Sequence, residues 1–382
     1  MPFLILQGTN GKALLGSGRI IAFLLFLFVL LAGCETENKK MTGEIGVQKA
    51  NSKNESQELI EPVKLKSAVF DRFIGWTSNT TAIFITKETE NHSFEVREYD
   101  IWNGKENVLY SKKNPIITVS ISPRKSFLLI HTSSSPEKAD IEIISRDGHS
   151  LYGASISSSE ISFEWNMNDE EKLLVTSFFE DWTFTNYLLN AKQKTIVPIN
   201  IPKPFAQWSG PDEFLFMDIN KNQQHMEGKL LKKKLYGNEV HEVVKSIIQY
   251  RKLNKNLMII QLDQDKTSLE YKLIGDSGNT QLLFQKPLTW NNDEPIIPYW
   301  EIVEKKRTLL TFLSGDSGEE LTNLVSFDWN SKQQTVIVEN AENAPLQCNP
   351  DGNLCLYGYQ LEKIIDLHAK KVFDMVEARK DG

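Results

Sequence analysis

The chain has 382 residues, 40% of them hydrophobic and 24% charged, with 50 acidic against 43 basic side chains. That balance excludes a disordered polyanion and gives no reason to expect a nucleic-acid partner, which a basic surface would serve. Three cysteines, Cys34, Cys348 and Cys355, exclude a disulfide-framed miniprotein and match no zinc spacing, so neither a metal nor another cofactor is expected.

Residues 20–31 read IIAFLLFLFVLL, twelve apolar side chains behind Lys12 and Arg19 with no acid before them. This is the hydrophobic and cationic pattern of a signal peptide. A membrane-spanning helix needs about 20 apolar residues, so the run is too short to cross comfortably. It ends at Leu31-Ala32-Gly33-Cys34, which resembles the lipobox of bacterial lipoproteins. Ala32 and Gly33 are small enough for a signal-peptidase cleft, and Cys34 supplies a thiol for a thioether to diacylglycerol. The resemblance implies cleavage between Gly33 and Cys34, lipid on Cys34, and a protein anchored at the extracytoplasmic side of a bacterial cell membrane. Two acyl chains give the stable anchoring that one does not.

Residues 35–62 contain no aromatic side chain and only scattered aliphatics. Such a segment cannot bury enough surface to order itself, and it reads as a flexible tether reaching roughly 30 Å. The expected division is a signal peptide over 1–33, the tether over 34–62, a folded body over 63–377 and a short tail over 378–382.

In the body, runs of five to eight Val, Ile, Phe, Tyr and Trp residues alternate with Gly, Asn, Asp and Pro, which favours an all-β fold. One series marks a large residue, a turn and a short apolar strand. It starts at Trp76, Ile121, Trp165, Trp208, Tyr250, Trp300 (or Ile302) and Cys348, with steps of 45, 44, 43, 42, 50 and 48 residues. A second series of hairpins turns near Gly104, Gly148, Lys192, Gly237, Gly278, Ser331 and Ala369. Two series sharing a period of 40–45 residues indicate four-stranded units, the blades of a β-propeller. About seven blades fit, and the recurring tryptophans read as core wedges.

The turns Ile121-Ser122-Pro123 and Cys348-Asn349-Pro350-Asp351-Gly352 resemble those of TolB-like and WD-type propeller repeats. With the lipobox and tether, the whole chain resembles the YqgU-like lipoproteins of spore-forming Gram-positive bacteria. That resemblance implies a propeller described with six blades, and it supplies no catalytic residue to carry over.

Linear motifs for chemistry are weak. GDSG occurs at 275–278 and 315–318, in turn-rich surroundings without a partnered His. Residues 218–222 alternate oxygens like a calcium loop but lack its Gly and Glu, those places being Gln223 and Lys229. The six histidines read as surface or loop residues. Cys348 and Cys355 flank a turn taken as residues 349–352, which sets them diagonally and favours two buried thiols over a disulfide.

In a propeller blade the loop between the second and third strands and the link to the next blade leave on one face. Long segments collect there, and two of them put Trp next to acids: Asp181-Trp182, and Trp290 with Asp293 and Glu294. Aromatics beside carboxylates suit a sugar, a cationic group or a peptide. The expected function is an extracytoplasmic binding or scaffold module for a protein, peptide or glycan, with no catalytic residue assigned. The alternative is a hydrolase or lyase acting on a sugar or lactone through carboxylates gathered around the central channel, which would show no linear motif.

Overall fold

The computed structural model describes residues 60–65, 68–219, 227–291, 294–314 and 321–377. Among them lie seven four-stranded antiparallel sheets, each built from four strands consecutive in the chain. Blades 1 to 7 cover residues 68–112, 116–157, 160–199, 207–247, 249–287, 300–341 and 346–374. Each is an up-and-down meander from a first to a fourth strand. The fold is therefore an all-β propeller with seven blades, where the resemblance implied six.

Closure explains the strand composition. Second strands carry unbroken apolar runs, such as Ala82-Ile83-Phe84-Ile85, Leu173-Leu174-Val175 and Met258-Ile259-Ile260, all buried. A neighbouring blade covers each face, so alternation is not required. A fourth strand has less cover, and Val240–Ile247 of blade 4 is mostly exposed. The buried apolar side chains fall into seven clusters, one at each interface between blades. Six join consecutive blades, and the seventh packs Leu354, Leu356 and Ile364 of blade 7 against Phe73, Trp76 and Phe84 of blade 1, which shuts the ring.

Trp76 and Trp165 end first strands, Trp208 is the second residue of the first strand Gln207–Gly210, and all three are buried. Each indole N–H donates to the first strand of the preceding blade: to Gln347 O at 2.9 Å, Ser120 Oγ at 2.9 Å and Glu164 O at 3.0 Å. A broad apolar body with one donor at its edge fills a wedge-shaped gap and still reaches a polar partner. Register defines this wedge position as the residue facing the second residue of the second strand, and Trp76, Ile121, Trp165, Trp208 and Cys348 hold it. In blade 5 the sequence alignment slips, and in blade 6 the alternative Ile302 rather than Trp300 holds the position. Arg251 faces Met258 and Ile302 faces Leu309, while Tyr250 and Trp300 stand one and two residues earlier.

Two further expectations are corrected. Cys348 pairs directly with Cys355 and the two form a disulfide. The four-residue turn is 350–353 rather than 349–352, because Asn349 N donates to Leu354 O at 2.8 Å and the Asn349 side chain accepts from the Asn353 and Leu354 amides. Moving a turn by one residue moves every cross-strand pair by two, which turns the diagonal placement into a direct one. Gly352 takes a φ of 64° in this turn, and a Cβ there would lie 2.1 Å from Val303 Cγ1. His131 is not a surface residue: it is buried on the second strand of blade 2, against the Phe163 ring.

The N-terminal approach to blade 1 also contributes to closure. Val63 bridges Val376 in parallel, with Val63 N donating to Met375 O at 2.7 Å and Glu377 N to Val63 O at 3.2 Å. Glu61 N donates to Ile101 O, and the Tyr99 hydroxyl donates to the Glu61 and Pro62 carbonyls. Ile60, Glu61 and Pro62, assigned to the tether by composition, thus lie against blade 1.

Candidate functional site

The second-to-third turn of blade 3 joins Lys172–Phe178 to Phe184–Asn190 and presents Trp182, which is 89% exposed. Asp181 builds this turn: its carboxylate accepts from Thr183 N at 3.0 Å and Thr183 Oγ1 at 2.6 Å, while Trp182 N donates to Phe179 O. The Thr183 bonds hold the Asp181 carboxyl below the usual carboxylate range, so it remains charged. Trp182 sits at a φ of 64°, which directs its chain through the left-handed region. Phe205, on the link to blade 4, is 64% exposed and packs on Phe178 with ring centroids 5.0 Å apart. Beside them Glu137, Ser158, Glu180 and Asp181 line a groove of about 370 Å³ between blades 2 and 3.

Trp290 belongs to the two-residue strand Trp290–Asn291, which pairs with Glu294–Pro295 in the link between blades 5 and 6. Asp293 lies outside the described residues, as do Gly33 and Cys34. The same loop-rich face carries the half-exposed Tyr299 and the exposed Tyr359, held together through Asn343: Tyr299 N donates to its Oδ1 and the Tyr359 hydroxyl to its carbonyl. The first GDSG string is a plain turn, in which Gly275 N donates to Asn279 O and Gly278 N to Gly275 O; the second lies outside the described residues. Asp218 of the calcium-like string pairs with Lys203, and the rest of that string from 220 is outside them too.

A site the linear motifs did not show emerges at the inner edge of the ring. First strands of successive blades approach one another there, as in blades 7, 1 and 2 and in blades 3, 4 and 5. The residue preceding the wedge in each blade faces the third residue of the second strand. Around the ring this position holds Gly75, Ser120, Glu164, Gln207, Tyr250, Glu301 and Gln347. Most of these side chains are spoken for. Ser120 accepts from Trp165, Gln207 Oε1 accepts from Lys252 N at 2.8 Å, and the Tyr250 hydroxyl donates to the Phe205 and Leu215 carbonyls. Gln347 fills the space over Gly75, where a Cβ would lie 2.5 Å from its Oε1.

The two carboxylates of this level fare differently. Glu301 receives Arg251 Nη1 at 2.8 Å, and the Arg251 guanidinium stacks over the Trp300 ring, 4.4 Å from its centroid. Burial raises the Glu301 pKa and Arg251 opposes the rise. Glu164, half-buried on the first strand of blade 3, has no hydrogen-bond donor to its carboxyl among the described residues. Burial pushes its pKa up to about 7, and Arg251, two blades on, only partly offsets that. Glu301 lines a cavity of about 540 Å³ whose wall includes Arg124, Met167, Asn254 and Cys348. Arg124, Met167 and Asn254 belong to first-to-second turns, so this cavity opens on the face opposite Trp182. Sequence reasoning missed the level because the alignment slipped in blade 5 and stood open between Trp300 and Ile302 in blade 6; the residue before each wedge was the available signal.

Comparison with known proteins agrees with this geometry. A protein of Bacillus subtilis (strain 168) named uncharacterized lipoprotein YqgU is 23% identical over 377 residues, covering 95% of this chain and 99% of its own. The crystal structure of uncharacterized protein lmo1340 from Listeria monocytogenes EGD-e is similar at a TM-score of 0.76 with 24% identity, covering 85% of this chain and 99% of that one. The propeller domain of the Trilobed protease from Pyrococcus furiosus, described as having an open velcro topology, shares the fold at a TM-score of 0.56 and 10% identity over 82% of this chain and all of that one. A family model, the YqgU-like 6-bladed beta propeller domain, matches residues 100–358. More than half of the chain is covered by that match, and the seven sheets described above are how this member builds the fold: the chain belongs to the YqgU-like β-propeller family.

Proposed function

We propose that the protein is a lipid-anchored extracytoplasmic binding module, tethered through Cys34 and taking its partner on the loop-rich face of the propeller. The observation that carries this reading is Trp182, almost fully exposed on a turn fixed by Asp181 and Thr183, beside a groove with three carboxylates. An exposed large aromatic is costly in water and suits a contact that desolvates it. The carboxylates of Glu137, Glu180 and Asp181 favour a polypeptide segment bearing a basic side chain. Relatedness to a lipoprotein supports the anchor.

The test is binding of immobilised Lys- and Arg-bearing peptides to the full chain in detergent. Trp182→Ala and Glu180→Gln are each expected to weaken binding at least about tenfold, the loss of one buried aromatic or charge-assisted contact. Equal binding by both variants refutes the choice of face. For the address, Cys34→Ala is expected to move the protein from the membrane fraction to the medium; retention of labelled lipid by that variant refutes the site of attachment. A second reading, an axial hydrolase or lyase, draws on Glu164 and Glu301 standing at one level of the ring. It requires turnover of a glycoside or lactone that Glu301→Gln abolishes.

A further inference from the structure

We infer that the mouth of the ring on the face opposite Trp182 is a second binding site, and that it takes a short peptide with free termini, its ammonium on Glu304 and its carboxylate on Arg124. The site is separate from the loop-rich groove and does not depend on a partner bound there.

The position of the cavity carries the first step. Its volume is about 540 Å³, and five of the seven blades line it through their first-to-second turns: Arg124 of blade 2, Met167 of blade 3, Asn254 of blade 5, Glu304 of blade 6 and Pro350 of blade 7. A cavity that so many blades share lies where their inner ends converge, at the centre of the ring. Its size is in the range that holds a small organic molecule.

The charges carry the second step. Four charged side chains belong to the wall, and two of them are paired with residues beyond it: Glu301 with Arg251 at 2.8 Å, and Lys305 with Asp351 at 3.5 Å. Arg124 and Glu304 remain, one cation and one carboxylate, neither with an opposite charge in contact among the described residues. The Arg124 side chain donates from Nη2 to Asn168 O at 3.2 Å, and Glu304 Oε2 accepts from Asn254 N at 3.2 Å. A neighbouring blade fixes each of them. Glu170 of blade 3 is buried, and its carboxylate accepts from Ser122 Oγ at 2.9 Å and from Arg124 N at 3.2 Å, which sets the turn that bears Arg124. Glu304 opens the helical turn Glu304–Lys306 and is tied to blade 5 through Asn254. Groups held in this way lose little freedom when a ligand arrives.

Blades 2 and 6 are three places apart, the greatest separation a ring of seven allows, so the two charges stand on opposite sides of the mouth. The wall is neutral as a whole, and a lone anion or a lone cation would leave one side unmatched. No group of three or more His, Cys, Asp or Glu able to hold a metal ion occurs among the described residues. A ligand with one charge of each sign at its two ends meets both. A free amino acid carries them on a single carbon and cannot reach across, whereas each further residue adds up to about 3.3–3.6 Å of backbone. Met167, Ile302, Val303 and Pro350 give the middle of such a peptide an apolar surface.

The experiment titrates the tripeptide alanyl-leucyl-alanine into the full chain in detergent by calorimetry, beside its N-acetylated and its C-amidated forms. The free tripeptide is expected to bind saturably and each blocked form at least about tenfold more weakly, from the loss of one charge-assisted contact. Glu304→Gln is expected to weaken the free and C-amidated peptides and to leave the N-acetylated one as it was. Arg124→Gln is expected to weaken the free and N-acetylated peptides and to leave the C-amidated one as it was. General damage to the fold would weaken all three together, and the blocked peptides test the unmodified chain whatever a variant does. No saturable binding at millimolar tripeptide, equal binding of free and blocked peptides, or equal weakening of all three by either variant overturns the proposal. Leucine alone bound as tightly as the tripeptide overturns it equally.

Discussion

Glu164 and Glu301 occupy the same register position three blades apart, and their neighbours make them different groups. Arg251 reaches Glu301 and not Glu164, so one carboxylate is paired and the other rests on its proton. The consequence for stability has a definite sign. The folded state holds the Glu164 proton up to about pH 7, whereas the free side chain releases it near 4.5. Between those values the folded protein binds more protons than the unfolded chain, so stability falls as pH rises through this window and levels off above it. Glu164→Gln is expected to match the parent near pH 4 and exceed it at pH 8 by about 1–2 kcal/mol, after allowance for solvent in the channel. Denaturant midpoints at the two pH values check this, and a variant less stable at pH 8 contradicts the assignment of an unpaired charge.

At the scale of the strand and hairpin, neighbouring blades set the environment more than local propensity does. The same first-strand position holds Trp in blades 1, 3 and 4, Ile in blades 2 and 6, Arg in blade 5 and Cys in blade 7, because each wedge meets a different opening. The tryptophan wedges were legible from their spacing. Arg251 was not, since Tyr250 beside it mimics a wedge residue in sequence and only cross-strand pairing separates them. Blade 7 has short strands, Leu346–Cys348 and Leu354–Tyr357 among them, and its disulfide pins the first hairpin. The bond closes a loop with a sequence separation of 7, so its effect on chain entropy is small. Reduction, or Cys348→Ser with Cys355→Ser, is expected to cost about 2 kcal/mol, read as a lower midpoint in urea. An unchanged midpoint would show that packing of blade 7 alone holds the hairpin.

At the scale of the whole ring, the question is how the last blade meets the first. All four strands of blade 7 come from the C-terminal end, so no strand is exchanged across the seam. The seam rests instead on the shared core around Trp76 and Leu356, on the bond from Asn349 Nδ2 to Asn79 O, and on Val63 between Tyr99 and Met375. Val63 is fully buried, and Ile60 and Leu65 pack beside it. A chain lacking residues 1–65 is expected to lose about 2–4 kcal/mol relative to one lacking residues 1–58, from the apolar surface left uncovered. Equal stability of the two chains would show that the core cluster closes the ring unaided. The share of residues 60–62 in this closure was hidden in the sequence, because they read as the end of a polar tether.

Periodicity alone determined that the chain is a propeller of four-stranded blades and where the wedges of blades 1 to 4 and 7 fall, because every blade must bury both faces and so repeats its apolar pattern. It also set the site expectation at Asp181 and Trp182, since turn chemistry is local. Only the tertiary structure decided the direct pairing of Cys348 with Cys355, the burial of His131 and the polar level that brings Glu164, Arg251 and Glu301 to the inner edge. The disulfide depends on the cross-strand register of one hairpin, and the other two on side chains that meet across blades, as Arg251 and Glu301 do from 50 residues apart, so composition and spacing alone do not carry them.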